Sequence, residues 1–356
     1  MKRWKVWAGL LFCLLFVGGC TGTQERVAKE DQQTENKLQI GMSFDSFVIE
    51  RWQRDRDVFV STAKEMGAEV NVQNANGSIE EQIAQIEYFI DKEMDVIVII
   101  CIDSDSLSNV VRRAKDAGIR IIAYDRLIKN SDVDLYISFD NEAVGEMMGR
   151  GIAESGMDVR SVLMLGGPLA DNNVSLVERG FTKVMRENHI EVLDRMHADG
   201  WKAELGAEYI YDHMDMVSRA DAIMCGNDDI ATAVVRALAE KRLAGKMGVV
   251  GQDADLAACQ RIVQGTQIMT VYKPVEKLAK KAAQCAITLG EGREVETKET
   301  IDDGSYLVPY MALEPVSVYR DNMDEVIIGS GYHLKEDVYL NMPERRMESG
   351  STGEGS

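Results

Sequence analysis

Residues 95–102 read Asp-Val-Ile-Val-Ile-Ile-Cys-Ile, a run in which apolar residues follow one another without alternation. A strand of this composition is buried on both faces, which is typical of a parallel sheet covered by helices. Amphipathic stretches flank it at 78–92 and 104–117, and Gly118 is a suitable left-handed stop after the second stretch. The segment therefore predicts a βαβ unit of a doubly wound α/β fold.

The same alternation of short apolar runs and amphipathic stretches extends from Leu38 to Leu289. It gives ten or more α/β units, which exceeds what one open sheet comfortably holds. A chain of 356 residues, 45% apolar and 28% charged, is long enough for about two domains with cores of their own. We therefore predict two Rossmann-like lobes side by side, with the chain crossing between them more than once.

The charge balance restricts the class of partner. The chain has 59 acidic and 40 basic residues, which gives a formal net charge of −19. Binding of nucleic acid needs a basic face, so no nucleic acid is expected as a partner. Neither GxxxxGK[ST] nor GxGxxG occurs, and the sequence therefore predicts no nucleotide and no cofactor.

The first twenty residues are predicted to be a lipoprotein signal peptide. Three basic residues precede an apolar stretch at 7–17, which has the length of a signal-peptide core. The stretch ends in Val17-Gly18-Gly19-Cys20, which resembles the lipobox whose cysteine is acylated. The alternative is an ordinary secretory signal with a chance cysteine. We expect an extracytoplasmic protein held at the cell membrane through Cys20, with residues 21–37 as a flexible tether and 342–356 as a disordered tail.

The sequence contains six cysteines, two of which lie within the first twenty residues. The other four, at positions 101, 225, 259 and 285, fall in strand-like or helical patterns without CxxC or metal-type spacing. Buried free thiols are the expected state of these four, and no metal site is predicted.

Polar clusters follow strand after strand of the predicted sheets. Ligands bind at the carboxyl ends of the strands in open α/β sheets, so two such lobes would present one shared polar cleft. A single Asp or Asn after a strand is also a good helix N-cap, as at Asn141 and Asp228, but the recurrence of about eight clusters favours a binding site. The clusters are Phe44-Asp45 with Glu50-Arg51-Trp52, Tyr124-Asp125-Arg126, Ser138-Phe139-Asp140-Asn141, Asp171-Asn172-Asn173, Asp199-Gly200-Trp201, Gly226-Asn227-Asp228, Gly251-Gln252-Asp253 and Tyr272-Lys273-Pro274.

These residue types suit a neutral ligand with many hydroxyl groups. Each hydroxyl donates and accepts, so it can bind a carboxylate on one side and an Arg, Lys or amide donor on the other. The C–H face of a pyranose ring is apolar and suits a flat aromatic side chain, and Trp52 and Trp201 come from different segments that could enclose one ring. The cleft is therefore predicted to bind a monosaccharide.

Six longer strings of the sequence extend these clusters. They are Glu50-Arg51-Trp52-Gln53-Arg54-Asp55-Arg56-Asp57, Gln73-Asn74-Ala75-Asn76-Gly77, Ala123-Tyr124-Asp125-Arg126, Tyr136-Ile137-Ser138-Phe139-Asp140-Asn141, Gly251-Gln252-Asp253-Ala254-Asp255 and Met269-Thr270-Val271-Tyr272-Lys273-Pro274. These strings resemble the D-xylose-binding proteins of sugar ABC importers, within the ribose/galactose-type periplasmic binding family. The resemblance extends over nearly all of residues 38–335.

The resemblance implies a type I periplasmic binding protein, with two Rossmann-like lobes that are joined by a three-strand hinge and close on one pyranose. It implies a first lobe of 38–139 with about 273–305, and a second lobe of 140–272 with about 306–341. Tryptophans 52 and 201 would stack on the sugar, and Asn172 or Asn173 is a weaker assignment because the spacing at 167–170 departs from the family pattern. The residues implied to hydrogen-bond the sugar are Arg51, Asp125, Arg126, Asp140, Asn227, Asp253 and Lys273.

Two other functions compete with delivery of D-xylose to an ABC permease. An exported glycosidase could use Asp125 with Asp253, but carboxylates beside Arg and Lys would have lowered pKa values, the opposite of a general acid. A lipid-anchored sensor that reports its closed state to a membrane histidine kinase would use the same binding mechanism. The sequence favours a binding protein over an enzyme and leaves importer and sensor open.

Overall fold

The computed structural model describes residues 37–342, which form two α/β lobes, each built on one largely parallel sheet. The predicted fold class is confirmed. The strands are β1 (Gln39–Phe44), β2 (Glu69–Asn74), β3 (Val96–Ile99), β4 (Arg120–Tyr124), β5 (Leu135–Phe139), β6 (Ser161–Gly166), β7 (Glu191–His197), β8 (Ala222–Cys225), β9 (Gly248–Gln252), β10 (Met269–Tyr272), β11 (Glu299–Asp302), β12 (Leu307–Leu313) and β13 (Val316–Val318).

Helices cover both faces of the sheets, as the amphipathic stretches of the sequence predicted. A 3-10 turn at Asp199–Trp201 and a π-helical turn at Asp324–Ile328 complete the regular structure. The helices are α1 (Arg51–Glu65), α2 (Ile79–Asp91), α3 (Ser108–Asp116), α4 (Asn141–Ala153), α5 (Asn172–Glu187), α6 (Glu204–Asp212), α7 (Met214–Val217), α8 (Asp228–Glu240), α9 (Leu256–Gln264), α10 (Val275–Gly290) and α11 (Lys335–Val338).

The apolar run at 95–102 contains an interior strand of the first lobe. Strand β3 lies between β1 and β4 in parallel register, and all four of its residues are fully buried. The sheet has the order β11-β12-β5-β4-β3-β1-β2. In the second lobe the order is β13-β10-β9-β8-β6-β7, and β8 is the third strand from the β7 edge, as β3 is the third from the β2 edge in the first lobe.

The chain passes between the two sheets three times, and these passages form the hinge. They follow β5, β10 and β12, at Phe139–Asn141, Tyr272–Val275 and Leu313–Val316. The third passage lies later in the chain than the predicted lobe boundary at about 306. Strand β12 pairs in parallel with β5, and β11 pairs with β12, so residues 299–313 belong to the first sheet.

A glycine contact fixes the position of α5, whose first turns face the other lobe. A Cβ on Gly145 of α4 would lie 1.9 Å from the carbonyl oxygen of Val177, and one on Gly180 of α5 would lie 2.0 Å from the carbonyl oxygen of Glu142. Side chains at these two positions would therefore force the helices apart. The pair of glycines lets the two backbones touch and holds α5 close to α4.

Several sequence predictions concern composition and the chain ends. The four cysteines at 101, 225, 259 and 285 are buried free thiols, as predicted. Within residues 37–342 no helix is long and apolar enough to cross a membrane. The predicted signal peptide, Cys20, the tether up to residue 36 and the tail from residue 343 lie outside the described residues.

Candidate functional site

A cavity lies between the two lobes, at the carboxyl ends of the strands of both sheets. The space between its lining atoms amounts to about 480 Å³, a volume that includes the open solvent at its mouth. Both lobes contribute lining side chains, and the strongest polar groups come from the loops after β4, β6 and β9 and from the start of α1. The lining residues are Ile49, Arg51, Trp52, Asp125, Arg126, Gly166, Gly167, Asp171, Asn173, Val174, Val177, Glu178, Trp201, Met224, Gly226, Gln252, Asp253 and Lys273.

Asp125 and Asp253 occupy equivalent places in the two lobes. Each follows its strand directly, β4 or β9, and each has a left-handed backbone, with φ of 64° and 93°. The backbone amide of Asp125 donates to Ile137 O, and that of Asp253 donates to Val271 O, both at 2.8 Å. Left-handed backbone is uncommon for residues other than glycine and clusters at functional sites, where the surroundings hold it. The fold therefore aims two carboxylates into the cavity from opposite lobes.

Arg51 begins α1 and is held by two carboxylates. Its Nε and Nη2 donate to the two oxygens of Asp55, at 3.2 and 3.0 Å, and its Nη1 lies 2.9 Å from Asp125 Oδ2. All three side chains are buried. The i, i+4 spacing puts Asp55 one turn further along the same helix, where it fixes the guanidinium plane. Tyr124 also donates its hydroxyl to Asp55.

Arg126 links the two lobes. Its Nη1 donates to Asp45 Oδ2 at 2.7 Å within the first lobe, and its Nε lies 2.8 Å from Asp171 Oδ2 in the second. Asp171 is the N-cap of α5 and also accepts from the backbone amide of Asn173 at 2.9 Å. The described structure is thus a closed arrangement, with a buried ion pair across the cleft.

The two tryptophans line the same cavity from opposite lobes. The Arg51 guanidinium lies 4.4 Å from the Trp52 ring centroid, so one face of this ring is in contact with a cation. Trp201 has a left-handed backbone, with φ of 58°, and its ring lies against Gly167, where a Cβ would come within 2.4 Å of the ring. The missing side chain at Gly167 therefore sets the depth of Trp201 in the cavity.

Lys273 and Gln252 surround Asp253. The Lys273 ammonium lies 3.2 Å from Asp253 Oδ1, in a position that gives an ion pair without hydrogen-bond geometry. Gln252 donates its side-chain amide to Gly226 O, and its side-chain oxygen has no hydrogen-bond partner among residues 37–342. Lys273 belongs to the hinge passage after β10, so the second lobe and the hinge meet at this carboxylate.

Four lining side chains hold buried polar atoms without a hydrogen-bond partner among residues 37–342. They are two donors, the indole nitrogens of Trp52 and Trp201, and two acceptors, Gln252 Oε1 and Asp253 Oδ1. Asp253 Oδ1 has the ion pair with Lys273, and the other three atoms have no hydrogen-bond partner. A buried polar group left without a partner costs about 1–3 kcal/mol, so native structures rarely keep several of them together. Donors and acceptors that converge on one cavity are suited to a ligand that both donates and accepts.

The cationic side chains keep one of the two carboxylates ionised. Burial by itself would raise the pKa of Asp125, but the charges of Arg51, Lys273 and Arg126 outweigh burial and lower the pKa below its ordinary value. The Arg51 guanidinium has a raised pKa despite its burial, because Asp125 and Asp55 favour its charged form. At neutral pH this site therefore presents a fixed hydrogen-bond acceptor beside fixed donors.

The structure brings most of the predicted site residues to the cavity and leaves three away from it. Asp140 caps α4 by accepting from the Ala143 amide at 2.9 Å, and Asn227 caps α8 by accepting from the Ile230 amide at 2.9 Å. Neither of them, nor Asn172, lines the cavity in the described chain. The capping suspected at Asn141 and Asp228 thus falls one residue earlier, because the residue that precedes the first helical turn accepts its free amides.

Asn173 takes the place in the cavity that was assigned to Asn172. Its Nδ2 donates to Asp125 O at 3.0 Å, across the cleft, and its Oδ1 accepts from the Tyr136 hydroxyl at 3.3 Å. Asp171 and Gln252 are lining residues that sequence reasoning placed in polar clusters without assigning them to the site. Residues 37–342 contain no group of three or more His, Cys, Asp or Glu residues suited to a metal ion.

Comparison with known proteins agrees with this architecture. The family model described as a periplasmic binding protein domain matches residues 40–294. The D-xylose-binding periplasmic protein of Haemophilus influenzae is 43% identical over 85% of this chain and 92% of the relative, and that of Escherichia coli is 40% identical over 85% and 93%. A solute-binding protein of an ABC transporter from Clostridium phytofermentans, solved with β-D-glucose, has a TM-score of 0.76 at 29% identity over 84% of this chain and 99% of that one. The chain belongs to the periplasmic binding protein family and is a substrate-binding protein rather than an enzyme.

Proposed function

We propose that this protein binds D-xylose outside the cytoplasm, between its closing lobes, and delivers it to an ABC importer. The observation that carries the proposal is the cavity in which four buried polar atoms, on residues from both lobes, have no hydrogen-bond partner. Relatives that are 43% and 40% identical are D-xylose-binding periplasmic proteins, which supports this sugar over other ligands with many hydroxyl groups.

The site chemistry supports a neutral sugar. Asp125 and Asp253 accept, Arg51 and Arg126 donate, and a sugar hydroxyl can do both at once. We assign sugar contacts to Arg51, Trp52, Asp125, Arg126, Asn173, Trp201, Gln252, Asp253 and Lys273, all of which line the cavity. A carboxylate whose pKa is lowered holds no proton to give a leaving group, so Asp125 supports binding and not glycoside hydrolysis.

Closure follows from the position of the cavity. A sugar between the walls contacts the first lobe at Arg51 and the second at Asp253, so it binds the closed form more tightly than the open one. The importer would then distinguish loaded from empty protein by the relative position of the lobes. No observation in the structure or among the relatives favours a sensor that signals to a histidine kinase.

The membrane attachment is a separate part of the proposal. The string Val17-Gly18-Gly19-Cys20 and the polar stretch at 21–37 support acylation of Cys20, which would hold the protein at the outer face of the cell membrane. Mass spectrometry of the membrane fraction should find a lipid-modified N-terminal cysteine. A Cys20→Ser variant should lose the lipid, and an unmodified wild-type N-terminus at another residue would contradict the anchor.

The binding proposal is tested by calorimetry of the purified protein with D-xylose, D-ribose and D-glucose. We expect one site per chain and the tightest binding for D-xylose. D-Ribose differs from D-xylose in one hydroxyl configuration, so it should leave one buried protein group unpaired and bind at least about tenfold more weakly. Clear heat with D-ribose and none with D-xylose would overturn the choice of sugar.

A further inference from the structure

The lobes also meet outside the cavity, through the loops that follow β3 and β6. The backbone amide of Ser104 donates to Ala170 O at 3.0 Å, and the backbone amide of Asn172 donates to Ser104 Oγ at 3.1 Å. Ser104 belongs to the first lobe, and Ala170 and Asn172 belong to the second. One serine therefore gives one hydrogen bond to the opposite lobe and receives one from it, and the residue is 1% exposed in this closed arrangement.

Both loops are held from within their own lobes. Ser104 O accepts from the Lys129 amide at 2.8 Å, and the Lys129 ammonium lies 3.0 Å from Asp105 Oδ2. On the opposite side the Asp171 amide donates to Pro168 O at 3.1 Å, which closes a tight turn before α5. The two surfaces are thus set before the lobes meet, and little loop ordering accompanies their contact.

The contact is independent of the cavity. In the described chain Ser104, Ala170 and Asn172 are absent from the cavity lining, so a ligand there need not touch them. Asp171, which does line the cavity and pairs with Arg126, lies between Ala170 and Asn172 in the same turn. In this loop Asp171 therefore makes a cross-lobe contact at the cavity, and the adjacent residues Ala170 and Asn172 make cross-lobe contacts outside it.

We propose that Ser104 is a positioning residue that latches the closed lobes and thereby sets how long the sugar is retained. The inference rests on the proposed function, since it concerns closure on a bound sugar. In the open form the Ser104 hydroxyl and the Asn172 amide are hydrated, and on closure they exchange water for each other. The latch favours the closed state by the net value of these hydrogen bonds, whichever sugar is inside.

The first test is Ser104→Ala, which removes the hydroxyl and leaves the Asn172 amide unpaired in the closed form. Sugar affinity should fall about 3- to 30-fold, corresponding to one lost hydrogen bond and one unpaired group. The dissociation rate should rise by nearly this whole factor while the association rate stays unchanged, because the latch forms after the sugar has entered. The factor should be the same for every sugar that binds, which a direct sugar contact would not give.

The second variant is Asn172→Pro, which deletes the donor of the same hydrogen bond. Asn172 is the first residue of α5, where proline is well tolerated, and Asp171 before it has φ −88° and ψ 113°, which suit a residue that precedes proline. If the two variants break one hydrogen bond, the double variant should bind as weakly as either single one. Full additivity of the two effects would overturn the assignment.

Ser131→Ala is the matched control. Ser131 is buried, and its hydroxyl donates to Lys129 O at 2.8 Å within the first lobe. This variant should lower the melting temperature of the sugar-free protein and leave the sugar affinity unchanged. Ser104→Ala should leave the melting temperature of the sugar-free protein unchanged and lower the sugar affinity. A lowered melting temperature of sugar-free Ser104→Ala with unchanged affinity would make Ser104 a structural residue only.

The outcomes separate the latch from the proposed function. If the wild type binds none of D-xylose, D-ribose and D-glucose, the proposed function fails and the latch fails with it as a device for retaining sugar. If the wild type binds and Ser104→Ala binds with the same affinity and dissociation rate, the latch alone is overturned. The latch is supported if Ser104→Ala lowers the affinity for two different sugars by the same factor, and if its effect is not additive with that of Asn172→Pro.

Discussion

Asp125 and Asp253 stand at equivalent positions in the two lobes and face one cavity from opposite sides. Both have positive φ, and both donate their backbone amide at 2.8 Å to the neighbouring strand, so the sheets hold the two carboxylates in the same way. Each has a cation close by, Arg51 at 2.9 Å and Lys273 at 3.2 Å. A ligand that donates hydrogen bonds to both carboxylates must have the lobes closed around it.

Asp253→Asn should weaken binding of D-xylose about 10- to 100-fold. Asparagine has nearly the same shape and tolerates the left-handed backbone, so the change removes mainly the charge. A hydrogen bond to a charged group is worth about 1.5–3 kcal/mol, and Lys273 also loses its ion-pair partner. Calorimetry measures the change.

Asp57→Asn is the control for this charge change. Asp57 lies on α1 with its side chain 67% exposed and paired with Arg56, away from the cavity lining. Its replacement should change the affinity less than twofold. Equal affinities of wild type and Asp253→Asn would remove Asp253 from the set of residues that bind sugar.

Gly167→Ala should reduce sugar affinity at least about tenfold, with the fold preserved. The new Cβ would lie 2.4 Å from the Trp201 ring, and the ring can move away from it only into the space meant for the ligand. Gly166→Ala is the neighbouring control, since its Cβ would meet Glu178 Oε1 at 3.1 Å, a contact that a small shift relieves. We expect the loss of sugar affinity in Gly166→Ala to be several-fold smaller than in Gly167→Ala. Sugar binding that is unaffected by alanine at 167 would contradict the proposed packing of Trp201.

A buried carboxyl group behind the site should make stability depend on pH. Burial raises the pKa of Asp228 to about 7, from an ordinary value near 3.8, although Arg261 and hydrogen bonds from Thr270 and Gln267 oppose this. The native form therefore holds a proton that the unfolded chain releases. The resulting stabilisation is complete below about pH 4 and is lost as the pH rises through 7.

Between pH 5 and 8 the free energy of unfolding of the wild type should fall relative to that of Asp228→Asn. The difference should change by up to about 1.4 kcal/mol per pH unit, and urea titrations at several pH values measure it. Comparing two variants at each pH cancels the contribution of groups that do not interact with Asp228, such as His333, whose pKa burial lowers. The difference includes the neighbouring Asp255, whose pKa is raised by burial and by the charge of Asp228. Parallel curves over the whole range would mean that this pair of carboxyl groups holds no additional proton in the native protein.

The sequence predicted the fold because its signal is local. The continuous apolar residues of β3 predict a strand buried on both faces, and the alternation of strands with amphipathic helices predicts parallel sheets in two lobes. Strand β12 carried no such signal. It contains Pro309, which lacks a backbone amide, and most of its residues are only half-buried, so the predicted boundary at about 306 fell before a strand that belongs to the first lobe.

The site was predicted in part, for a physical reason. Asp125, Arg126 and Asp253 follow strands and line the cavity. Asp140 and Asn227 also follow strands, but they cap helices and are not among the lining residues. A cap and a ligand contact both need a short polar side chain at the same point of a βα connection, so residue type alone does not separate them. The cross-lobe role of Asp171 depends on a partner, Arg126, that is distant in sequence.

The central claim is that a sugar binds in the cavity between the lobes, and tryptophan fluorescence tests it most directly. Trp52 and Trp201 are the only tryptophans of residues 37–342, and both line the cavity with unpaired indole nitrogens. In a chain carrying Trp4→Phe and Trp7→Phe, D-xylose should change the emission saturably, with the dissociation constant that calorimetry gives. Trp201→Phe added to this chain should remove part of the change and Trp52→Phe the rest. Binding detected by calorimetry with no change in emission at any sugar concentration would place the sugar elsewhere and contradict the account.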